Sequence, residues 1–369
     1  MLIILKLMFM FSQLDLYFIE IFLIFFLFSI YITSKKEKTS HFKSPCRKEY
    51  EIVITSLNES ESILRDTIKS WMKTGKRIVL LRDGKISKQF LEFLRKNGIV
   101  LISRKSPVNG KAGALNNYLK NFCKAEYFLV VDADERFSSK RCLESILCKN
   151  ADVVISAKEF DSSSLLSELM NSTNNMFHTV QAYSSLRGIA LFNGSLGLIN
   201  SKVAKSFLFR DFKIEDIEFS LRLIEKGHSI KYVGCIIARG LTPSLRAFLF
   251  QHFRYSYGTG EVVRAHLRQL IKKPFLFSIL MFLPFFSLFQ SIFILYVLFF
   301  SSLIPFLIQI ALSYIIFLLY LKNKNPVVFA LTYFLNLVLL PIPRTLYFVI
   351  GFLKLRSSFN PTLSENRNS

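Results

Sequence analysis

The chain has 369 residues, of which 51% are hydrophobic, and a formal net charge of +22 at pH 7. Its mean hydropathy of +0.36 is too high for an ordinary water-soluble protein, and the apolar residues are concentrated at the two ends. The basic residues are scattered or flank the apolar segments without a helix-turn-helix, zinc-finger or RRM pattern, so we predict no nucleic-acid partner. The five cysteines are odd in number and form no CxxC pair, which predicts no disulfide framework and a reducing compartment.

The first predicted element is a membrane anchor. Residues 16–32 are almost wholly apolar, and they lack the small-residue cleavage site of a signal peptide. Residues 274–321 contain no charged residue and have the length of two membrane helices. Residues 327–353 can make one more crossing, but Pro341, Pro343 and Arg344 leave two alternatives open: a kinked crossing, or a segment that enters the membrane without crossing it.

Basic residues predict the orientation of these segments. A lysine-rich run at 35–48 follows the anchor, and Lys272 and Lys273 precede the second apolar region. The positive-inside rule then places residues 33–273 in the cytoplasm, and we expect a multi-pass protein of the plasma membrane. The predicted organisation is an anchor at 1–34, a cytoplasmic domain at 35–240, interfacial helices at 241–273, two to three transmembrane helices at 274–353, and a tail at 354–369.

The region between the membrane segments has the pattern of an α/β domain. Short β-branched runs alternate with amphipathic stretches, which favours a mostly parallel sheet covered by helices on both faces. The predicted strands are Ile52–Ser56, Ile78–Leu81, Ile99–Ile102 and Phe128–Val131, and the predicted helices are Glu59–Lys73, Ser87–Asn97 and Lys111–Cys123. Ligands of such sheets bind beyond the carboxyl ends of the strands, so the polar residues there are the candidates for a site.

Acidic residues follow three of the four predicted strands. Glu59 comes after the first strand, Asp83 after the second, and Asp132 and Asp134 after the fourth. Alternate positions can point to one side, and two carboxylates there would supply hard oxygen ligands for Mg²⁺ or Mn²⁺, which could in turn bind a diphosphate. A solvated turn followed by a helix cap is the alternative interpretation of so short a motif.

Further motifs accompany the acidic pair. The stretch Asn109–Asn116 has glycines before a helix, and Lys111 near the helix start can reach phosphate. A glycine-containing stretch, Phe192–Ser195, precedes the pair Glu215–Asp216, and Gln251–Tyr255 forms a Gln-x-x-Arg-aromatic motif. In this order, from about residue 52 to residue 255, the motifs resemble those of family 2 glycosyltransferases, specifically the membrane branch that includes cellulose, chitin and hyaluronan synthases.

The resemblance implies a GT-A-type nucleotide-sugar-binding domain and a role for each matched residue. Asn58, Glu59 and Asp83 would lie by the nucleotide, with Lys111 and Asp132 completing the nucleotide-sugar site, and Asp132 and Asp134 would hold the metal. Gly194 would belong to the acceptor loop, and the Tyr255 ring would stack on the acceptor sugar. By the same resemblance Asp216 is the general base, with Glu215, Gln251, Arg254 and Tyr255 in the catalytic group. An acidic pair at a helix N-terminus is also favourable on physical grounds, and the two interpretations are compatible.

The resemblance implies a metal-dependent, inverting transfer from a nucleotide-diphosphate sugar, a UDP-sugar being favoured, to a membrane-associated lipid or glycan acceptor. Tyr255 stands where the synthases carry tryptophan, which favours single addition over polymer synthesis. Two alternatives remain: a processive polysaccharide synthase, and a non-catalytic membrane scaffold that retains the fold. A scaffold would be expected to lose Asp132, Asp134 or Asp216, and all three are present.

Overall fold

In the computed structural model, the described residues are 48–104, 108–161, 164–281, 285, 288, 326–334 and 340–354. The strands are β1 (Tyr50–Ser56), β2 (Ile78–Arg82), β3 (Val100–Ile102), β4 (Tyr127–Asp132), β5 (Glu135–Phe137), β6 (Val153–Phe160), β7 (Gly197–Asn200) and β8 (Ile230–Gly240). The helices are α1 (Glu61–Met72), α2 (Lys88–Lys96), α3 (Gly110–Asn121), α4 (Lys140–Leu147), α5 (Leu165–Ser185), α6 (Ser201–Phe207), α7 (Glu215–Glu225), α8 (Leu245–Ile271), α9 (Pro326–Phe334) and α10 (Pro341–Leu353).

The first half of the domain agrees with the prediction from sequence. β1 to β4 and α1 to α3 each begin and end within two residues of the predicted bounds. Serines fix two of the helix starts: the Ser60 hydroxyl accepts a hydrogen bond from the Ile63 amide, and Ser87 caps α2 in the same way. Apolar strands and capped amphipathic helices are the strongest local signals in a sequence, which explains the agreement.

The sheet is mixed, and the prediction of a mostly parallel sheet holds only in part. Its strand order is β3-β2-β1-β4-β7-β6-β8-β5. Pairing is parallel from β3 through β4 and between β6 and β8, whereas β7 runs antiparallel to both of its neighbours and β5 runs antiparallel to β8. Short strands such as the four-residue β7 carry little sequence signal, so their direction could not be predicted.

The sheet brings the ends of distant strands to one edge. β1 pairs with β4 so that Thr55 lies opposite Asp132, and β1 also pairs with β2 so that Ser56 lies opposite Arg82. The carboxyl ends of β1, β2 and β4 therefore meet. Buried apolar residues cover both faces, and the indole of Trp71 in α1 donates a hydrogen bond of 2.8 Å to the carbonyl of Glu135. This bond ties helix α1 to the strand that follows the acidic pair.

Residues 241–273, predicted as interfacial helices, contain the single 27-residue helix α8. It packs against α10 by backbone contact at two glycines. A Cβ built on Gly260 would lie 2.1 Å from the Phe348 carbonyl oxygen, and one on Gly351 would lie 2.0 Å from the Tyr257 carbonyl oxygen. Only hydrogen atoms fit at these two positions.

We expect Gly260→Ala to destabilise the protein by about 1–3 kcal/mol, because the added methyl must push α10 away from α8. The measurement is the unfolding midpoint of the full chain in detergent. An unchanged midpoint would show that the two helices do not approach as closely as described.

Within the described ranges, no helix combines the length and apolar character needed to cross a membrane. The predicted anchor at 16–32 and most of the predicted pair of spans at 274–321 lie outside the described residues. The last predicted crossing is described in part, as α9 and α10, and Pro341 is the first residue of α10. Arg344 is buried in α10, where its guanidinium lies 3.1 Å from Nδ1 of His252 in α8.

The prediction of unpaired cysteines is wrong for Cys148, which is disulfide-bonded, and for Cys142 and Cys235. Cys142 and Cys235 form a disulfide between α4 and β8, with 5.7 Å between their Cα atoms. They are 93 residues apart in the chain, so no short spacing motif in the sequence indicates that they pair. Cys123 is a free, buried cysteine, as predicted.

Candidate active site

The loop after β1 is ordered by its own acidic residue. The Glu59 carboxylate accepts hydrogen bonds of 2.8 Å from the Leu57 amide and from the Ser56 hydroxyl. Asn58 is exposed and reaches the loop after β2, where a Cβ on Gly84 would lie 3.1 Å from the Asn58 Oδ1. The two loops are thus in contact, with Asn58 at the surface of the cleft and Glu59 holding the backbone beneath it.

Asp83 is paired with Arg104, which follows β3. Arg104 Nε lies 3.0 Å from Asp83 Oδ1, and the guanidinium also contacts Oδ2. The same guanidinium donates to the carbonyls of Val108 and Gly110 at 2.7 and 2.9 Å. Arg104 therefore connects the end of β2 to the glycine-containing start of α3. Its position after β3 at the ligand edge was the signal that could have identified it.

Two lysines hold the Asp132 carboxylate at the end of β4. Lys111 Nζ lies 2.5 Å from Oδ1, and Lys158 Nζ lies 3.2 Å from Oδ2. Burial alone would raise the pKa of Asp132, but these two ammonium groups outweigh it and lower the pKa below its ordinary range. Asp132 is therefore ionised throughout the physiological range.

Lys158 and Glu135 belong to this cluster and were not predicted. Glu135 is fully buried, and it accepts hydrogen bonds from the Asp132 amide at 2.8 Å and from the Ser195 hydroxyl at 2.7 Å. Lys158 Nζ lies 2.7 Å from Glu135 Oε1. Both residues come from strands, β5 and β6, that the sequence did not predict. The sequence signal that could have identified Glu135 was its position as an additional carboxylate directly after Asp132-Ala133-Asp134.

The pair Glu215–Asp216 begins helix α7, as its position in the sequence suggested. Burial, and then the neighbouring Glu215 carboxylate, raise the pKa of Asp216 to about 7. The Ile217 amide donates a hydrogen bond of 2.8 Å to Asp216 Oδ1. A carboxylate with a pKa near neutrality can both accept and release a proton under physiological conditions.

Gly194 places the loop of residues Phe192–Ser195 close to both Asp216 and Lys111. Its φ of +84° is in the region that favours glycine. A Cβ built there would lie 2.9 Å from Asp216 Oδ2 and 3.9 Å from Lys111 Nζ. The predicted acceptor, base and phosphate residues, which are far apart in sequence, therefore meet at this one glycine.

The motif on α8 faces the same cleft. Gln251 Nε2 donates to the Tyr255 hydroxyl at 3.1 Å, and the Arg254 guanidinium lies 5.5 Å from the centroid of the Tyr255 ring. The positive charge of Arg254 acts to lower the pKa values of Glu215 and Asp216, but burial outweighs it and both pKa values stay raised. Tyr255 is partly exposed.

A divalent cation would fit this site through Asp132 and Asp134. Among the described residues, no three His, Cys, Asp or Glu side chains are grouped as a complete metal site. Mg²⁺ in diphosphate-binding sites commonly takes only one or two carboxylates, with the remaining ligands supplied by phosphate and water. The half-buried turn of Asp132 and Asp134 provides such a partial donor set.

Comparison with known proteins places this site in context. Residues 51–205 match the family model described as Glycosyl transferase family 2. Over 233 residues the chain is 26% identical to a UDP-forming cellulose synthase catalytic subunit of Pseudomonas fluorescens (strain SBW25), an alignment that covers 58% of this chain and 31% of the relative. The chain thus spans less than a third of that relative's length.

A solved structure is similar over most of the chain. It is the mannosyltransferase PcManGT from Pyrobaculum calidifontis in complex with GDP-Man and Mn²⁺, with a TM-score of 0.62 and 13% identity, covering 93% of this chain and 100% of that one. At this identity the likeness establishes the fold, a GT-A-like α/β arrangement with a mixed sheet.

Proposed function

We propose that the chain transfers a sugar from a nucleotide-diphosphate sugar to a membrane-associated lipid or glycan acceptor, since residues 51–205 match the family model described as Glycosyl transferase family 2. A UDP-sugar is the favoured donor, and the reaction inverts the anomeric centre. The observation that supports the proposal is the position of Gly194, which lies close to both the Asp216 carboxylate and the Lys111 ammonium. A carboxylate and a cation that can bind phosphate, close together at one loop, are what a displacement between acceptor and diphosphate requires.

In the proposed reaction, Asp216 takes the proton of an acceptor hydroxyl as that oxygen bonds to the anomeric carbon. The bond from the anomeric carbon to the diphosphate oxygen breaks, and the nucleoside diphosphate leaves with the electron pair. Lys111 stabilises the charge on the departing phosphates. A divalent cation, Mg²⁺ or Mn²⁺, held by Asp132 and Asp134 would supply further positive charge there. The Tyr255 ring, which lies 5.5 Å from the Arg254 guanidinium, would contact the acceptor sugar.

The test is release of nucleoside diphosphate by the detergent-solubilised full chain from a panel of UDP- and GDP-sugars, with divalent metal and native lipid extract. We expect release from at least one donor, and its loss in Asp134→Ala. GDP-sugars are included because the similar mannosyltransferase was solved with GDP-Man. The scaffold alternative requires that no donor bind, which calorimetry with the same panel would detect.

A processive polysaccharide synthase is the second candidate. It is supported by the similarity to the cellulose synthase subunit over 58% of this chain. Product size on a gel separates the candidates: single addition gives one discrete lipid-linked species, and a synthase gives a ladder or a high-mass polymer.

The pH dependence of transfer provides a further prediction. Since the pKa of Asp216 is raised to about 7, the base is ionised above that pH and protonated below it. We expect kcat/KM to fall by about tenfold per pH unit on the acid side of neutrality and to level off above it. A profile measured between about pH 5 and about pH 9 checks this, and a flat profile would contradict the assignment of the base.

We also propose that the domain faces the cytoplasm at the plasma membrane. The basic residues that flank the apolar segments support this orientation. The Cys142–Cys235 disulfide weighs against a reducing compartment. Labelling of intact cells with a membrane-impermeant lysine reagent decides the question, because a cytoplasmic domain stays unlabelled until the cells are permeabilised.

A further inference from the structure

Lys158 links the proposed donor and acceptor sides of the cleft. Its ammonium lies 2.7 Å from Glu135 Oε1, 3.2 Å from Asp132 Oδ2 and 3.4 Å from the Ser195 hydroxyl. The side chain is only 19% exposed. The strand is held in place at this residue, because the His178 ring lies 2.8 Å from the Lys158 carbonyl oxygen. The Lys158 ammonium is thus a largely buried charge on a strand that is held in place, and it has three polar partners.

Both oxygens of the Asp132 carboxylate are occupied by ammonium groups. Lys111 holds Oδ1 from helix α3, and Lys158 holds Oδ2 from strand β6. A divalent cation that binds Asp132 must take at least one of these oxygens from a lysine. It must also approach a second positive charge, which opposes binding in a partly buried site.

We propose that Lys158 is a built-in counter-ion of Asp132 that keeps divalent cations out of the site until a nucleoside diphosphate is bound. The inference rests on the proposed function, because it assigns a role to Lys158 in metal loading of that same site. The diphosphate brings the negative charge that allows the cation and both lysines to remain close together. Cation and nucleotide therefore bind cooperatively, and each tightens the binding of the other by the same factor.

The geometry identifies Lys158, rather than Lys111, as the lysine that moves away from Asp132 when the cation binds. Lys158 is closer to Glu135 than to Asp132, 2.7 Å against 3.2 Å, and it also reaches Ser195. When it leaves Asp132, it retains the stronger ion pair and needs no new partner. Lys111 has its short contact with Asp132 itself, and it is the lysine to which the proposed function assigns the phosphates.

The experiment measures Mn²⁺ binding to the purified full chain by electron paramagnetic resonance of free Mn²⁺, without nucleotide and with UDP or GDP in separate titrations. The variant Lys158→Met/Glu135→Gln removes the counter-ion together with its buried partner, so that no uncompensated charge is left inside. Glu135→Gln alone is the matched control, since it keeps Lys158. The unfolding midpoint of each protein confirms that it is folded.

Without nucleotide, we expect the double variant to bind Mn²⁺ about tenfold more tightly than the wild type, a factor typical of coupling between sites. We expect Glu135→Gln alone to bind no more tightly than the wild type, because its lysine still holds Asp132. The nucleotide should tighten Mn²⁺ binding more in the wild type than in the double variant.

Two results would overturn the inference while leaving the proposed function intact: equal nucleotide-free affinities in the wild type and the double variant, or the same tightening in Glu135→Gln alone. A third result, in which neither nucleotide tightens Mn²⁺ binding in any of the folded proteins, would overturn both the inference and the metal-dependent part of the proposed function.

Discussion

Asp216→Asn is expected to lower kcat of sugar transfer by about 10²–10⁴-fold while leaving donor binding nearly unchanged. The amide keeps the size of the carboxylate and can still accept the Ile217 amide hydrogen bond, but it cannot take a proton from an acceptor hydroxyl. The measurement combines single-turnover transfer with nucleotide-sugar binding by calorimetry. Loss of transfer with donor binding retained indicates a catalytic defect, whereas loss of both indicates a folding defect.

Asp211→Asn is the matched control for this variant. Asp211 is exposed and lies five residues before Asp216, so the same chemical change there should leave transfer within about twofold of the wild type. If Asp216→Asn retained most of the activity, the base would have to be another group. Glu215, the adjacent carboxylate with a raised pKa, would be the first to examine.

Arg222→Met is expected to lower the free energy of unfolding by about 3–5 kcal/mol, because it leaves a buried carboxylate without its main partner. Glu218 is completely buried in helix α7, and Arg222 Nε lies 2.8 and 2.9 Å from its two oxygens. The same guanidinium donates to the carbonyls of Phe207 and Leu208 at the C-terminal end of α6. The unfolding midpoint in detergent is the readout.

Arg210→Met provides the comparison. Arg210 contacts the same carboxylate at 3.3 Å, but its side chain is 60% exposed, so its removal should cost less than about 1 kcal/mol. The double variant Arg222→Met/Glu218→Gln should recover part of the loss, since the unpaired charge is gone. Equal effects of the two arginine variants would contradict the account of Glu218 as a buried ion whose main partner is Arg222.

The parts of the fold predicted from sequence are those with local signals. β1 to β4 are continuous apolar runs separated by capped helices, so the edge where Asp83 and Asp132 emerge could be predicted from patterns. The candidate base, Asp216, was predicted from the order of the motifs rather than from hydrophobic periodicity. The structure brings it beside Gly194, although the two are far apart in the chain.

What the sequence did not reveal depends on pairing between distant segments. Lys158 lies on β6, whose neighbours in the sheet are β7 and β8, and nothing near residue 158 in the chain indicates an acidic partner. Nothing in the sequence around Asp83 indicated its pairing with Arg104, which lies two residues after the end of β3. Such contacts are set by strand order, and a single sequence carries little information about strand order beyond the βαβ units.

The Cys142–Cys235 disulfide has a topological consequence. The covalent ring that it closes contains β6, α5, the Gly194 loop, β7, α6 and α7, so both Lys158 and Asp216 lie inside it. A single proteolytic cut anywhere between the two cysteines opens the ring without releasing a fragment. Nicked protein should therefore migrate as an intact chain on a non-reducing gel and separate into two pieces only after a thiol reductant is added.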